Sequence, residues 1–150
     1  MRRLPDALMR PAYQVGYVLL RSYSRLVQPH TRGVKCMLTH GDELLLVRHA
    51  YGPGEWDLPG GFCRRGETFA AAARREVCEE LGIEDALWTD LGELRRRFDG
   101  RHETLHGFRV ELVARDVHIA RAEVAEARWF PRRELPDVAP IVHAIAALDA

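Results

Sequence analysis

The chain has 150 residues, of which 47% are hydrophobic, and 22 lysine and arginine side chains balance 22 aspartate and glutamate side chains. This length suits one domain with a real core and leaves no room for a second catalytic domain within these residues. A formal net charge of zero excludes a general electrostatic attraction to nucleic acid or to an anionic membrane, so an anionic ligand must be held by local contacts.

The cysteines and the N-terminal segment bear on the compartment. Cys36, Cys63 and Cys78 are odd in number and form no Cys-x-x-Cys pair, which disfavours a disulfide framework and a zinc knuckle. Prolines and charges interrupt the first eleven residues where a signal peptide needs an apolar core, and no stretch approaches the length of a membrane span. We therefore expect a cytoplasmic protein with reduced thiols and no stable membrane insertion.

The first predicted element is a helix over residues 12–27, bounded by Pro11 and Pro29. About half of its circumference is apolar, so we expect packing against the same chain or against a second copy in a homodimer. A membrane surface is a third option, although the arginines are spread around the helix. The apolar positions form two stripes: Tyr13, Gly16, Tyr17, Leu20 and Ser24 on one, Val15, Leu19, Ser22 and Leu26 on the other.

Strands and turns follow this N-terminal helical extension, which we place at residues 1–32, ahead of a domain at 33–150. Gly-Asp at 41–42 and Asp-Gly at 99–100 each lie between two strand-like segments, and both are hairpin signals. Residues 51–61 are rich in glycine and proline and are predicted to form a loop around a short extended piece at Trp56 to Leu58. With a central helix, a further strand and an apolar C-terminal helix, the pattern predicts an α/β sandwich around a mixed sheet.

The central helix, predicted over residues 67–81 and ended by Gly82, carries Glu76, Glu79 and Glu80 within about 100° of one another. Its neighbouring face is small and apolar, which suits packing on a sheet. Three carboxylates beside a Gly-Gly loop offer the oxygen ligands that Mg²⁺ prefers. A solvated charge stripe, softened by a neighbouring arginine, is the alternative.

The spacing of this segment decides between them. Gly61, five residues, Glu67, seven residues, Arg75-Glu76-Val77, one residue, Glu79-Glu80, one residue and Gly82-Ile83 match every fixed position of the Nudix box. The sequence resembles the Nudix hydrolase family over residues 33–148, because the flanking "LLLVRH...WDLPGG" and "EVAEARWFPRREL" are also typical of that family. The resemblance implies a Nudix-type α/β/α sandwich.

The resemblance also implies a reaction. Members of this family hydrolyse a nucleoside diphosphate linked to another group, using Mg²⁺ or Mn²⁺ and a water that attacks phosphorus. Glu76, Glu79 and Glu80 are the implied metal ligands, and one of them can help to deprotonate the water. The implied partner is a small nucleoside diphosphate derivative and not a nucleic acid.

Other box residues have structural or substrate-binding roles in this interpretation. Glu67 and Arg75 are expected to fix the loop and the helix through an ion pair, and Gly82 ends the helix. Gly60 and Gly61 would let the backbone approach the metal and the phosphates closely.

Candidates outside the box rest on weaker signals. Family members often use a further glutamate as a ligand or base; Glu123 is our choice, and Glu126 and Glu103 are rivals. Arg48 ends a strand directed at the loop and is a candidate phosphate contact. Three aromatic residues are candidates for stacking on a base, with the core as the alternative: Tyr51, Trp56 and Phe98.

The segment "HETLH" at 102–106 matches the zinc-protease pattern His-Glu-x-x-His, which requires a helix. Here an alternating strand pattern follows, and in a strand residues four apart are separated by about 13 Å at ~3.3 Å per residue. Two imidazoles cannot share one zinc across that distance, so this reading is rejected.

Two further functions share the fold: a nucleotide-sensing domain without catalysis and an isomerase of isoprenoid diphosphates. Sensors commonly lose acids of the box, and all are present here. The loops around 50–57 and 99–106 are expected to decide which substrate is cleaved, and no motif in them identifies it.

Overall fold

The computed structural model describes residues 6–27, 29–120 and 122–150. It is an α/β sandwich around a mixed sheet, as predicted. The elements in chain order are α1 (Asp6–Val27), β1 (His30–His40), β2 (Glu43–His49), β3 (Gly60–Phe62), α2 (Phe69–Leu81), β4 (Leu87–Phe98), β5 (Arg101–Glu111), β6 (Val124–Pro131) and α3 (Pro140–Leu148).

The sheet follows the order β4-β5-β1-β2-β6, with β3 paired to β1. The β1–β5 pair is parallel, and the pairs β1–β2, β1–β3, β2–β6 and β4–β5 are antiparallel. Both predicted hairpins are present. Gly41 and Gly100 have positive φ angles of 57° and 81°, and Asp99 adopts φ 53°, which fits the preference of tight hairpin turns for glycine and aspartate.

Two apolar cores lie on opposite faces of the sheet, because successive side chains of a strand point to opposite faces. One core packs α2 on the sheet and includes Val34, Cys36, Leu38, Val77 and Leu81. The other packs α3 and includes Met37, Leu46, Trp56, Val142 and Ile145. The sheet is therefore covered by helices on both sides.

The central helix α2 begins at Phe69, two residues later than predicted. Thr68 is its N-cap, and its side chain accepts a hydrogen bond from the backbone of Ala71. Gly82 ends the helix in the left-handed conformation, at φ 67°. The small side chains of Ala72 and Ala73 are fully buried, so α2 lies close to the sheet.

The N-terminal helix α1 begins at Asp6, so the prediction that Pro11 bounds it was wrong. A proline removes one backbone donor, and here the helix continues through it. Residues 1–5 and 28 of the expected extension lie outside the described residues, as does the side chain of Ser24. Strand β1 starts at His30, three residues before the expected start of the domain. Among the described helices, none is long and apolar enough to cross a membrane.

The segment 102–106 lies within β5, paired with β1 and β4. The segment is extended and not helical, so its two histidines do not share one helix face as the zinc-protease pattern requires.

Candidate active site

A cavity of about 530 Å³ opens between α1, the loop before β3, and the inner edge of α2. Several carboxylates line it, and three of them are candidates from the sequence that come from two parts of the chain: Glu76 and Glu80 from α2, and Glu123 from the segment just before β6. Gly60 and Gly61 of β3 lie on the same wall. The cavity therefore brings together the glycine loop, two of the three helix acids and the additional glutamate chosen from the sequence.

Glu80 is the most buried of these acids, at 1% exposure. Its Oε2 accepts a hydrogen bond of 3.2 Å from the backbone N–H of Gly60. Burial raises the pKa of Glu80 well above its usual value, and the charges of Glu76 and Glu123 raise it further, while Lys35 acts in the opposite direction. Glu80 is thus a desolvated carboxyl beside other carboxyls.

Glu76 and Glu79 differ in their surroundings although both lie on α2. Glu76 is 9% exposed, and Arg75 Nη1 donates to its Oε1 at 2.8 Å. Burial raises the pKa of Glu76, partly offset by Arg75. Glu79 is exposed, contacts Arg64 at 3.3 Å and Arg75 at 3.2 Å, and is not among the residues that line the cavity. The structure therefore separates the three expected ligands into two that line the cavity and one outside its lining.

The ion pair expected between Glu67 and Arg75 is formed in a two-point geometry. Arg75 Nε lies 2.8 Å from Oε1 of Glu67, and Nη2 lies 3.0 Å from Oε2. Arg75 also donates to the carbonyl of Phe62, and the backbone N–H of Arg64 donates to Glu67. The hydrogen bonds from Arg75 and then from Arg64 lower the pKa of Glu67 to about 2. This network ties the loop after β3 to α2.

Gly60 and Gly61 of β3 occupy positions where a side chain would collide. A Cβ on Gly60, whose φ is 153°, would lie 2.1 Å from the carbonyl oxygen of Val34. A Cβ on Gly61 would lie 2.5 Å from Oε1 of Glu76. The absence of side chains lets β3 pair with β1 while the carboxylate of Glu76 sits against the backbone.

The three candidates for a glutamate outside the box have separate locations. Glu123 lines the cavity, and its Oε1 accepts a 2.8 Å hydrogen bond from the Tyr13 hydroxyl. Glu103 also lines it but is bound by Arg96 at 2.7 Å and Arg101 at 3.1 Å. Glu126 lies outside the lining, next to Arg48 and Arg128. Among the three, Glu123 is the one whose charge acts on both Glu76 and Glu80.

Comparison with known proteins identifies the family. A family model described as the NUDIX domain matches residues 29–148. The chain belongs to the Nudix hydrolase family. A protein named MutT4 from Mycobacterium tuberculosis is 40% identical over 85 residues, which cover 54% of this chain and 34% of that protein. The NAD-capped RNA hydrolase NudC of Pseudomonas aeruginosa is 34% identical over 101 residues, covering 67% of this chain and 36% of NudC.

Solved structures agree on the fold. The MutT protein of Methanosarcina mazei superposes with a TM-score of 0.70 at 23% identity, covering 82% of this chain and 95% of that one. The Nudix domain of Shewanella oneidensis NrtR, complexed with ADP-ribose, superposes with a TM-score of 0.68 at 19% identity, covering 78% and 84%. At these identities the likeness establishes the fold. The chain spans between 34% and 41% of the length of the curated relatives it matches.

The carboxylates Glu76, Glu80 and Glu123 fit a divalent cation by chemistry. All their donor atoms are oxygens, and the mutual repulsion of Glu76, Glu80 and Glu123 is what a cation would relieve. They are not drawn into one coordination sphere: in the part of the chain that the structure describes, no group of three His, Cys, Asp or Glu side chains is placed to hold an ion.

Two expected substrate contacts lie away from the cavity lining. Arg48 has its guanidinium 4.4 Å above the ring of Trp56 and an oxygen of Glu126 at 3.6 Å. The alternation of β2 explains this, since Val47 faces the α2 core and His49 the cavity, so Arg48 between them points the other way. Trp56 is 6% exposed and belongs to the α3 core. A core position was the alternative to a base contact for this residue.

Tyr51 and Phe98 do line the cavity. Tyr51 stacks on His49, with ring centroids 5.2 Å apart. Burial raises the pKa of Tyr51, and the nearby carboxylates add to the effect, so its hydroxyl stays protonated and uncharged. These two aromatic side chains remain candidates for contact with a base.

Three polar residues of the cavity were missed from the sequence: Lys35, His49 and Asp57. Lys35 Nζ lies 2.5 Å from Oδ2 of Asp57, and although burial acts to raise the pKa of Asp57, Lys35 lowers it overall. Burial, followed by the charge of Lys35, lowers the pKa of His49 to about 4, and its Nδ1 lies 4.0 Å from Oε1 of Glu80. The available signal was a charged residue, Lys35, within the otherwise apolar stretch 34–38 of β1.

Proposed function

We propose that this protein hydrolyses a pyrophosphate bond in a nucleoside diphosphate linked to another group, with Mg²⁺ or Mn²⁺ as cofactor. The observation that carries the proposal is the meeting of Glu76 and Glu80 of the box with Glu123 in one cavity, against the backbone of the glycine loop. Membership of the Nudix family supports the same reaction.

Each part of the site has a role in this reaction. Glu76, Glu79 and Glu80 would hold the cation, with Glu79 exchanging its contacts to Arg64 and Arg75 for it. A bound divalent cation neutralises charge on phosphate oxygens and lowers the pKa of a coordinated water. Gly60 and Gly61 leave room for a phosphate next to the backbone.

Glu123 is our choice for a further ligand or for the group that accepts the proton of the attacking water. It approaches the cavity from a different segment than α2, and the Tyr13 hydroxyl fixes the direction of its carboxylate. A general base must lie within hydrogen-bond reach of the proton that it accepts, and a carboxylate that lines the cavity together with Glu80 and has a fixed direction meets that requirement best. The rivals Glu103 and Glu126 are already engaged by arginines.

A substrate panel tests the proposal. ADP-ribose, NAD, dinucleoside polyphosphates and NAD-capped RNA, the last because relatives carry that activity in their names, are incubated with Mg²⁺ and separately with Mn²⁺. We expect one class to release a phosphomonoester product, and the chelator EDTA to abolish its release. The matched control is Glu80→Gln. Absence of product from every member with both metals would contradict the proposal.

A nucleotide-binding domain without catalysis is the second candidate, and the likeness to the NrtR domain complexed with ADP-ribose favours it. The complete set of box acids favours hydrolysis. Calorimetric titration with ADP-ribose separates the two, because a sensor binds it with heat that saturates and yields no product.

We place the reaction in the cytoplasm, in keeping with three free cysteines. A homodimer stays a prediction for light scattering.

A further inference from the structure

One face of α1 forms the roof of the cavity. Tyr13, Gly16, Tyr17 and Leu20 recur at helical spacing, and all four line the same cavity as the carboxylates Glu76, Glu80 and Glu123. The first of the two stripes predicted from the sequence therefore faces the domain. The second stripe faces away, with Val15 60% exposed and Leu19 66% exposed.

Polar contacts hold α1 on both sides of the cavity mouth. Near its first turns, Gln14 Nε2 donates to the carbonyl of Ala50 at 2.8 Å. Further along, Arg21 Nε lies 2.7 Å from Oδ1 of Asp99 in the β4–β5 turn. Ala50 and Asp99 lie in the loops around 50–57 and 99–106, which are expected to decide which substrate is cleaved. The helix consequently bridges both segments.

The roof is aromatic where it meets the loop after β2. The ring of Tyr51 has its centroid 5.9 Å from the ring of Tyr13 and 5.9 Å from that of Tyr17. The ring of Tyr17 also lies against Gly52, where an added Cβ would be 3.4 Å from it. The stack forms an uncharged aromatic wall next to the carboxylates, since the Tyr13 hydroxyl donates to Glu123.

One hydrogen bond joins the roof to the reacting end of the cavity. The Tyr13 hydroxyl, which donates to Glu123, brings α1 within direct contact of the proposed catalytic carboxylates. A ligand bound in this cavity with its diphosphate at the carboxylates therefore has room for an adjoining group beneath α1.

The chemistry of the roof selects among such groups. Gly16 and Leu20 supply no side-chain hydrogen-bonding atom, and the ring of Tyr17 presents a flat apolar surface. A planar ring gains from stacking and apolar contact there, whereas a polyhydroxylated sugar would lose hydrogen bonds to water without replacement.

We propose that α1 is a specificity element of this enzyme, in which Tyr17 and Leu20 recognise a planar aromatic ring attached to the diphosphate. The inference rests on the proposed function, because it places the diphosphate at the box carboxylates. It assigns to the N-terminal helix a direct part in substrate selection.

Binding of two probes by matched variants tests it. ADP-ribose carries the adenine ring, and its analogue with ribose at both ends of the diphosphate lacks it. Both are titrated calorimetrically in the presence of Ca²⁺, a hard cation with oxygen ligands. The variants are Tyr17→Ala and Leu20→Ala, and the control is Leu19→Ala, which changes the neighbouring leucine on the exposed stripe.

We expect Tyr17→Ala and Leu20→Ala each to weaken ADP-ribose binding by at least about fivefold and to leave the analogue within twofold, at a temperature where each variant is folded by thermal unfolding. Leu19→Ala should match the wild type. Unchanged ADP-ribose binding, equal losses for both probes, tighter binding, or no ADP-ribose binding by the wild type would overturn the inference.

The substrate panel separates the failure of this inference from failure of the proposed function. A protein that hydrolyses no panel member but loses ADP-ribose binding in Tyr17→Ala fails the proposed reaction and keeps the specificity element. A protein that hydrolyses nucleoside diphosphate derivatives equally well with Tyr17→Ala keeps the reaction and loses the element.

Discussion

The backbone N–H of Gly60 donates to Oε2 of Glu80, so a carboxyl that is 1% exposed is held against the glycine loop by a single 3.2 Å hydrogen bond. On a helical wheel the three acids lie beside the small apolar face of α2, which indicates a position at the edge of the packed face. The structure corrects this for Glu80, which belongs to the packed interior. This burial governs what its substitutions do.

Glu80→Gln should reduce turnover to below about a tenth of the wild-type value, because a proposed ligand charge is lost. The amide oxygen can still accept from Gly60, and a neutral group is cheaper to bury, so the melting temperature should not fall. Initial rates on the substrate found with the panel, together with thermal unfolding, check both parts. Activity above that level would count against the ligand role.

The raised pKa of Glu80 also predicts a pH dependence in the presence of EDTA. Below the unfolded pKa, near 4.5, the carboxyl is neutral in both states and costs nothing. Above it the unfolded state loses its proton first, so stability falls as pH rises. The melting temperature of Glu80→Gln minus that of the wild type should therefore grow between pH 4.5 and neutrality. A constant difference over that range would contradict this.

Glu67→Gln should lower both thermal stability and activity at pH 7, because the two-point pair with Arg75 ties the loop to α2. The pKa of Glu67 is lowered to about 2, so the stabilisation is complete above the unfolded value near 4.5 and is lost as pH falls towards 2. The difference in melting temperature should shrink across that window. An identical melting temperature at pH 7 would refute the anchoring role.

Tyr13→Phe removes the hydroxyl that donates to Glu123 and keeps the ring that stacks on Tyr51. We expect kcat to fall about three- to tenfold, the equivalent of one hydrogen bond of ~1 kcal/mol, with KM and melting temperature nearly unchanged. Steady-state kinetics separate the two parameters. If kcat stays at the wild-type level, Tyr13 does not position Glu123.

Gly60→Ala should destabilise the protein by at least about 2 kcal/mol, because the new Cβ would collide with the carbonyl of Val34. Gly41→Ala is the control: Gly41 also has a positive φ, but an added Cβ meets nothing within 4 Å. Its cost should be about 1 kcal/mol of backbone strain. Denaturant unfolding gives both values, and equal losses would show that strain alone matters at residue 60.

Local rules predicted the parts of this site that are local. The box spacing placed Glu76 and Glu80 on one side of a helix ended by Gly82, and Asp-Gly at 99–100 predicted a hairpin, because both depend on residues close in sequence. The position of Arg48 could also be predicted locally, since strand alternation directs its side chain away from the side on which His49 faces the cavity.

The sequence did not predict how segments distant in the chain pack against one another. The apolar stripe of α1 indicated that the helix must be covered, but no local signal specified the roof of the cavity as its place. Trp56 joined the α3 core because its ring packs on Phe130 at 5.0 Å, a contact between distant segments. The pairing of Glu79 with Arg64 likewise depends on how the loop folds back on α2.

The parallel pairing of β1 with β5 has a consequence for the order of folding. His30 pairs with His102 and Thr39 with Glu111, so the whole glycine loop and α2 lie within the stretch of chain that this pairing closes. Closing so long a stretch lowers the conformational entropy of the chain before the contacts that offset this loss have formed. The β1–β2 and β4–β5 hairpins close short stretches and can form early. Gly60 and Glu80, which are joined by a hydrogen bond, both lie inside that enclosed stretch. The docking of β5 on β1 should therefore fix the strand on which the glycines and α2 pack, so that stable structure and the arrangement of the helix carboxylates arise together.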